Sequence, residues 1–259
     1  LAQQAENGLV IEDDKIIELV ARGNQPSMVV DAVIDAREHV VIPGLVSTHH
    51  HYYQTLTRAF NDSLDKELFD WLTTLYKVWQ NLTPESLHIA SKTAMAELLL
   101  SGCTTSADHH YVFPRGLENA IDIQVKAARE MGIRSVLTRG SMNLSQKDGG
   151  LPPDSVVQDE DVILADCERL IHKYHDDSDG AMIQIALAPC SPFSVSKSIM
   201  KHTAILAKKH NVRMHTHLSE TEDEHQFCLK MFGCRPLDYL EQVGWLNDRT
   251  WLAHAIHYT

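Results

Sequence analysis

The chain has 259 residues, 44% of them hydrophobic, enough to bury a substantial core in one large α/β domain or two smaller units. A formal net charge of -12 works against binding a polyanion, because non-specific nucleic-acid affinity comes mainly from Lys and Arg neutralising phosphates; DNA, RNA and anionic membrane surfaces are not the expected partners. There is no apolar run long enough to cross a bilayer and no secretory start, and the five cysteines include no C-x-x-C pair, so the expectation is a soluble cytoplasmic protein with neither a disulfide framework nor a thiolate zinc site.

In chain order, "LVIEDDKIIELV" (9–20) and "MVVDAVIDAREHVVIPG" (28–44) are β-type runs separated by the turn signal Gly23-Asn24-Gln25-Pro26. They predict a small β unit over residues 1–44. After Pro43-Gly44 the pattern changes to short apolar strands alternating with longer helical stretches, the signature of parallel βαβ units. Strands are predicted near 45–49, 102–108, 134–140, 183–189, 213–217 and 250–254, with helices over 84–100, 159–175 and 195–210. Residues 145–155, "SQKDGGLPPDS", are rich in turn formers and predict a loop over one end of the sheet. This is the pattern of a (β/α)8 barrel, whose reactive side chains sit at the C-terminal ends of the strands. The barrel predicted over 45–259 stops after its sixth strand, and the chain opens on Leu1 rather than Met. The expectation is therefore a piece of a longer polypeptide, since an incomplete barrel leaves two edges open.

The stretch "PGLVSTHHHYYQ" (43–54) carries three consecutive histidines at a predicted strand end. With 16 His in the chain, one His-x-His pair is expected by chance, so the test is whether other predicted strands also end in metal-type residues. They do: His215 and His217 close the fifth, and His254 the sixth. Residues i and i+2 of a strand share a face, so His49 and His51 can bind one ion while His50 faces away. For His50 and His215 a packed, hydrogen-bonded histidine is preferred. Glu220 decides for His217 over His215, because "HTHLSE" sets a carboxylate just past the strand, where it can move a proton between water and a leaving group. Against this, Glu220 opens the acidic run "ETEDE", an ordinary helix start. His254 is either a fourth ligand or a hydrogen-bond partner of the attacking water. His257 is expected to be structural, and His39, His88, His172, His175, His202, His210 and His225 to serve surface or packing roles.

Together these residues resemble the amidohydrolase superfamily. "VIPGLVSTHHH" is similar to its first-strand pattern, "HTHLSE" to its fifth-strand His with the carboxylate shuttle, and "LAHAIH" to its sixth-strand His. Within it, "SGCTTSADHHYVFP", "GGLPPDSVV", "LAPCSPFSVS" and "FGCRPLDYLEQVGWL" are most similar to aminohydrolases of purine and triazine rings, the 8-oxoguanine deaminases above all. The resemblance implies one Zn2+ per subunit, with Fe2+ as the alternative, held by His49, His51 and His217. It also implies Glu220 and His254 as catalytic groups, Gln54 and Cys190 at a small heterocyclic substrate, and a sandwich that includes residues 1–44. The implied reaction is hydrolytic deamination, most simply of 8-oxoguanine to urate and ammonia. A pterin such as isoxanthopterin, guanine, or an s-triazine is the alternative substrate, and a non-catalytic metal-binding barrel the rival class. Pro192 before Phe193, where guanine deaminases carry Arg, counts against guanine. The family's eighth-strand Asp has no counterpart in these residues, and a homo-oligomer is left open.

Overall fold

A computed structural model describes residues 4–258, in two compact units, Leu1–Pro43 and Gly44–Thr259. In the first, β1 (Gly8–Glu12) and β2 (Lys15–Val20) form an antiparallel hairpin. Its turn places Asp13 at φ 54°, a left-handed conformation that Asp tolerates better than most residues. The second β-type run contains no strand: Val29, Ile34 and Val40 are 97%, 92% and 86% exposed. Alternating apolar residues make a segment fit to pair, but a strand needs a neighbouring edge to take its N–H and C=O groups, and none among the described residues does so.

The second unit is built on six parallel strands in sequential order: β3 (Leu45–Ser47), β4 (Cys103–His110), β5 (Arg134–Ser141), β6 (Ile183–Pro189), β7 (Met214–Leu218) and β8 (Thr250–His254). Between them run α1 (Leu68–Trp79), α2 (Pro84–Leu100), α3 (Ala120–Met131), α4 (Glu160–Tyr174), α5 (Lys197–His210), α6 (Glu222–Phe232) and α7 (Pro236–Gln242). Local chemistry sets the helix ends. Thr83 accepts the Ser86 N–H at 3.1 Å while Ser86 Oγ accepts the Thr83 N–H at 2.9 Å, with Pro84 in the first turn. Such a cap stabilises by about 1 kcal/mol. Ser196 opens α5 by accepting from Ile199, and Asn211 closes it at φ 55°.

The sheet curls. At one end Trp251 of β8 donates its indole N–H to the Thr48 carbonyl just past β3 at 3.0 Å, bringing the two edge strands together there. Among the described residues neither outer edge has a strand partner. The result is a parallel half-barrel with its helices outside, the architecture expected from the sequence in its α/β class and strand order. Close strand approach is enforced at Gly140, where a Cβ would meet the His110 carbonyl oxygen at 2.1 Å. Trp79 and Trp245 are fully buried, and both indole N–H groups are satisfied, by Thr57 Oγ1 at 3.1 Å and the Met200 carbonyl at 2.9 Å. No helix among the described residues is long and apolar enough to cross a membrane.

Candidate active site

The C-terminal half of β4 is buried yet reads Ser106, Asp108, His109, His110. Buried polar residues need partners; Asp108 has them, but Ser106 Oγ, His109 Nδ1 and both ring nitrogens of His110 have none. At the strand ends six histidines from four strands meet. The loop after β3 supplies His49 and His51, β4 supplies His109, β7 supplies His215 and His217, and β8 supplies His254. Ring centroids of His49 lie 4.6 Å from His51 and 4.9 Å from His217, and those of His51 and His217 lie 5.1 Å apart. The three predicted ligands are thus brought together.

The hydrogen bonds assign the tautomers. His51 Nδ1 is 2.6 Å from the His109 carbonyl and His217 Nδ1 is 2.7 Å from the Cys190 carbonyl, so each carries its proton on Nδ1 and donates it outward. Their Nε2 lone pairs then face one another across 3.1 Å. Neither ring is protonated near neutral pH, because burial holds His51 down at about 3 and His217 well below the ordinary histidine value. Two proton-free acceptors that close repel unless a cation lies between them. A tetrahedral ion with Zn–N bonds of 2.0–2.1 Å would set its ligands about 3.3 Å apart. Outer nitrogens held on carbonyls are also the usual support for metal-binding imidazoles. The residues therefore fit a divalent metal.

His215, buried, donates Nδ1–H to the Trp251 carbonyl at 2.9 Å and presents Nε2 to His49 Nδ1 at 2.7 Å, which leaves His49 Nε2 as that ring's free acceptor. Burial and the neighbouring rings push His49 down to about 2. His50 lies apart, its ring 5.2 Å from that of Tyr52. His109, which the sequence reasoning did not single out, belongs to the cluster: its ring stacks on His217 at 4.6 Å, and its Nδ1 is buried without a partner. One nitrogen each of His49, His109 and His217 lie within 4.8 Å of one another. The signal was present in the sequence, since "DHH" ends β4 much as "HTH" lies just before the end of β7.

Glu220 lies in the loop after β7, its Oε2 3.4 Å from His254 Nε2. Burial, and then the charge of Glu224, push its carboxyl up to about 7. The loop is held by Glu224, fully buried, whose two oxygens accept the backbone N–H groups of Ser219 at 2.9 Å and Glu220 at 3.0 Å. Gln54 sits at a short 3-10 turn with its Nε2 3.3 Å from Tyr53 Oη and 3.5 Å from Tyr111 Oη. Cys190 meets the cluster through its carbonyl. Its thiol is 3.9 Å from His217 Nδ1 and is pushed up to about 12 by burial, which makes it a poor nucleophile. Asp108 ties β4 to the His51 loop by accepting the Tyr52 N–H and Gln124 Nε2–H, each at 2.6 Å.

The chain is similar to known proteins in both sequence and fold. The chain is 60% identical, over 98% of its length, to an 8-oxoguanine deaminase of Pseudomonas aeruginosa, of which it covers 57%. To a hydroxydechloroatrazine ethylaminohydrolase of a Pseudomonas species it is 35% identical, over 88% of this chain and 47% of that one. The fold superposes on a crystal structure of an atrazine chlorohydrolase from Arthrobacter aurescens complexed with zinc with a TM-score of 0.91 at 31% identity, covering 97% of this chain and 56% of that one. The chain spans about half the length of the curated relatives it matches. The sequence pattern of the amidohydrolase family matches residues 40–259. That stretch takes in every strand of the curled sheet and every histidine of the cluster, and the chain belongs to the amidohydrolase family.

Proposed function

We propose that the protein is a metal-dependent hydrolase that deaminates a purine-like heterocycle, converting 8-oxoguanine and water to urate and ammonia. The observation that carries this is the 3.1 Å approach of two proton-free imidazole nitrogens, His51 and His217, beside a carboxyl raised to about 7. The choice of substrate is supported by the 60% identity to a relative of that name.

His49, His51 and His217 would hold Zn2+, with Fe2+ as the alternative, and the ion would supply the Lewis acidity that makes water a nucleophile near neutral pH. Glu220 takes a proton from the attacking water and delivers it to the ring nitrogen beside the amine-bearing carbon. A carboxyl poised near the working pH suits both halves of that transfer. His254, 3.4 Å from Glu220, orients the incoming oxygen. Gln54 presents its amide to the edge of the heterocycle from between the Tyr53 and Tyr111 hydroxyls, and Cys190 lines the pocket wall behind His217. The new C–O bond makes that carbon tetrahedral; Glu220 then carries the second water proton from the new hydroxyl to the amine, the C–N bond breaks, the C=O forms and ammonia leaves. The unpartnered Nδ1 of His109 favours a second version of the ligand set in which His109 joins His49 and His217. Residues 1–44 are assigned to a β-sandwich domain and 45–259 to the barrel.

The test is release of ammonia or alkylamine from 8-oxoguanine, guanine, isoxanthopterin and hydroxyatrazine, with metal content measured on the same preparation. Fastest turnover of 8-oxoguanine is expected. Metal bound at one per chain with no product from any of the four would overturn the enzymatic reading. Turnover of isoxanthopterin or the triazine alone would overturn the substrate.

A further inference from the structure

A second group of metal-type side chains lies outside the sheet. Glu168 and His172 sit one turn apart on α4, and His210 is the last residue of α5, packed alongside. His210 Nε2 is 3.1 Å from Glu168 Oε1 and His172 Nε2 is 4.0 Å from the same oxygen. The two imidazoles meet edge to face with centroids 5.0 Å apart, and one donor atom of each of the three residues lies within 4.8 Å of the others. Sequence alone gave His172 and His210 surface or packing roles. The site is separate from the histidine cluster: His210 precedes the start of β7 at Met214, whereas His217 lies near that strand's far end.

We infer that Glu168, His172 and His210 form a second site for a divalent metal of the zinc type, clipping α4 to α5. Two imidazole nitrogens and one carboxylate oxygen are a borderline donor set that favours Zn2+ over Ca2+ or Mg2+, which take oxygen ligands. Donors 3–5 Å apart come within bonding distance through small side-chain rotations, and His172 has room for this at 67% side-chain exposure. Lys209 Nζ, 2.6 Å from Glu168 Oε1, competes for one carboxylate oxygen and leaves the other free. Three protein ligands leave the remaining coordination to water, and solvent exposure with competition from Lys209 makes this site weaker than the buried cluster.

The experiment is a calorimetric Zn2+ titration of the full chain with its buried centre already loaded, repeated on His172→Ala, His210→Gln and Glu168→Gln. Wild type is expected to take up one further equivalent per chain. Loss of a ligand should weaken it beyond the roughly 10- to 100-fold that loss of an outer-shell partner produces. Zn2+ should also raise the Tm of wild type and leave that of His172→Ala unmoved. No further equivalent in wild type, or one of unchanged affinity in both His172→Ala and His210→Gln, would overturn the inference. Substrate turnover of the loaded enzyme plays no part in this readout, so failure of the proposed reaction and failure of this site are told apart.

Discussion

Glu220→Gln is expected to slow turnover sharply and, in metal-free protein, to stabilise the fold above neutral pH. The carboxyl titrates near 7 in the folded state against an ordinary 4.5, because it is largely buried and faces the charge of Glu224. Its side chain is 21% exposed, so solvent screens it little. The folded state holds this proton more tightly than the unfolded state. The stability linked to it is therefore complete below about pH 4.5 and is lost as pH rises through about 7. A difference of 7 against 4.5 corresponds to about 3 kcal/mol at most, with each pKa unit equal to about 1.4 kcal/mol. The glutamine has no charge to desolvate and does not incur this penalty. Urea unfolding of chelator-treated wild type and variant should coincide at acid pH and separate at pH 8 in favour of the variant, by up to about 3 kcal/mol. Turnover of the metal-loaded variant should fall by about 10²- to 10⁴-fold, the range for loss of a general acid–base group. An equal stability difference at both pH values would refute the argument from burial, and unchanged turnover with normal metal content would refute the role in proton transfer.

His217→Ala is expected to strip the buried centre, leaving metal per chain near zero by elemental analysis and no measurable turnover; metal retained at the wild-type level would remove His217 from the ligand set. Glu224→Gln swaps one oxygen for an NH2 that confronts a backbone N–H of Ser219 or Glu220, so the Glu220 loop should shift and turnover drop by about tenfold or more at unchanged metal content. Arg139→Met tests packing away from the site. That guanidinium is 1% exposed, pairs with Asp166 at 2.8 Å, donates to Gln158 at 2.9 Å and lies 4.0 Å over the Phe113 ring. Its loss should destabilise by about 3 kcal/mol in urea unfolding, the low end of the range for breaking a buried pair, because Asp166 keeps Arg169 at 2.7 Å.

The parts of this molecule legible in the sequence are those set by short-range pattern. The six parallel strands follow from apolar runs between helical stretches, and α2 begins and ends where Thr83-Pro84 and the end of the apolar pattern put it. What the sequence concealed depends on long-range partners. The run at 28–42 has strand chemistry and forms no strand, because pairing needs an edge that local sequence does not specify. His109 was hidden for a different reason: the predicted strand stopped at Asp108, whereas β4 continues two residues further to His110, under burial that a polar "ADHH" does not advertise. His215 could be set on the same face as His217 by parity, but not its contact with His49, which joins residues 166 positions apart.

These long-range contacts also show why a parallel sheet suits this chemistry. The histidine rings engage backbone carbonyls of neighbouring strands: His51 on the His109 carbonyl, His109 on that of Ala188, His217 on that of Cys190, His215 on that of Trp251. Each bond links a residue to a different strand or the loop just beyond it. The same register that builds the sheet therefore decides which nitrogen of each ring keeps its proton and which turns inward as a lone pair. Burial then keeps the rings neutral, as the low values of His49, His51 and His215 require. A one-residue slip between neighbouring strands would move the carbonyls away from the rings and, by the two-residue period of side chains, turn the ligands away from the centre. The strand pairing and the protonation state of the cluster are in this sense a single structural property.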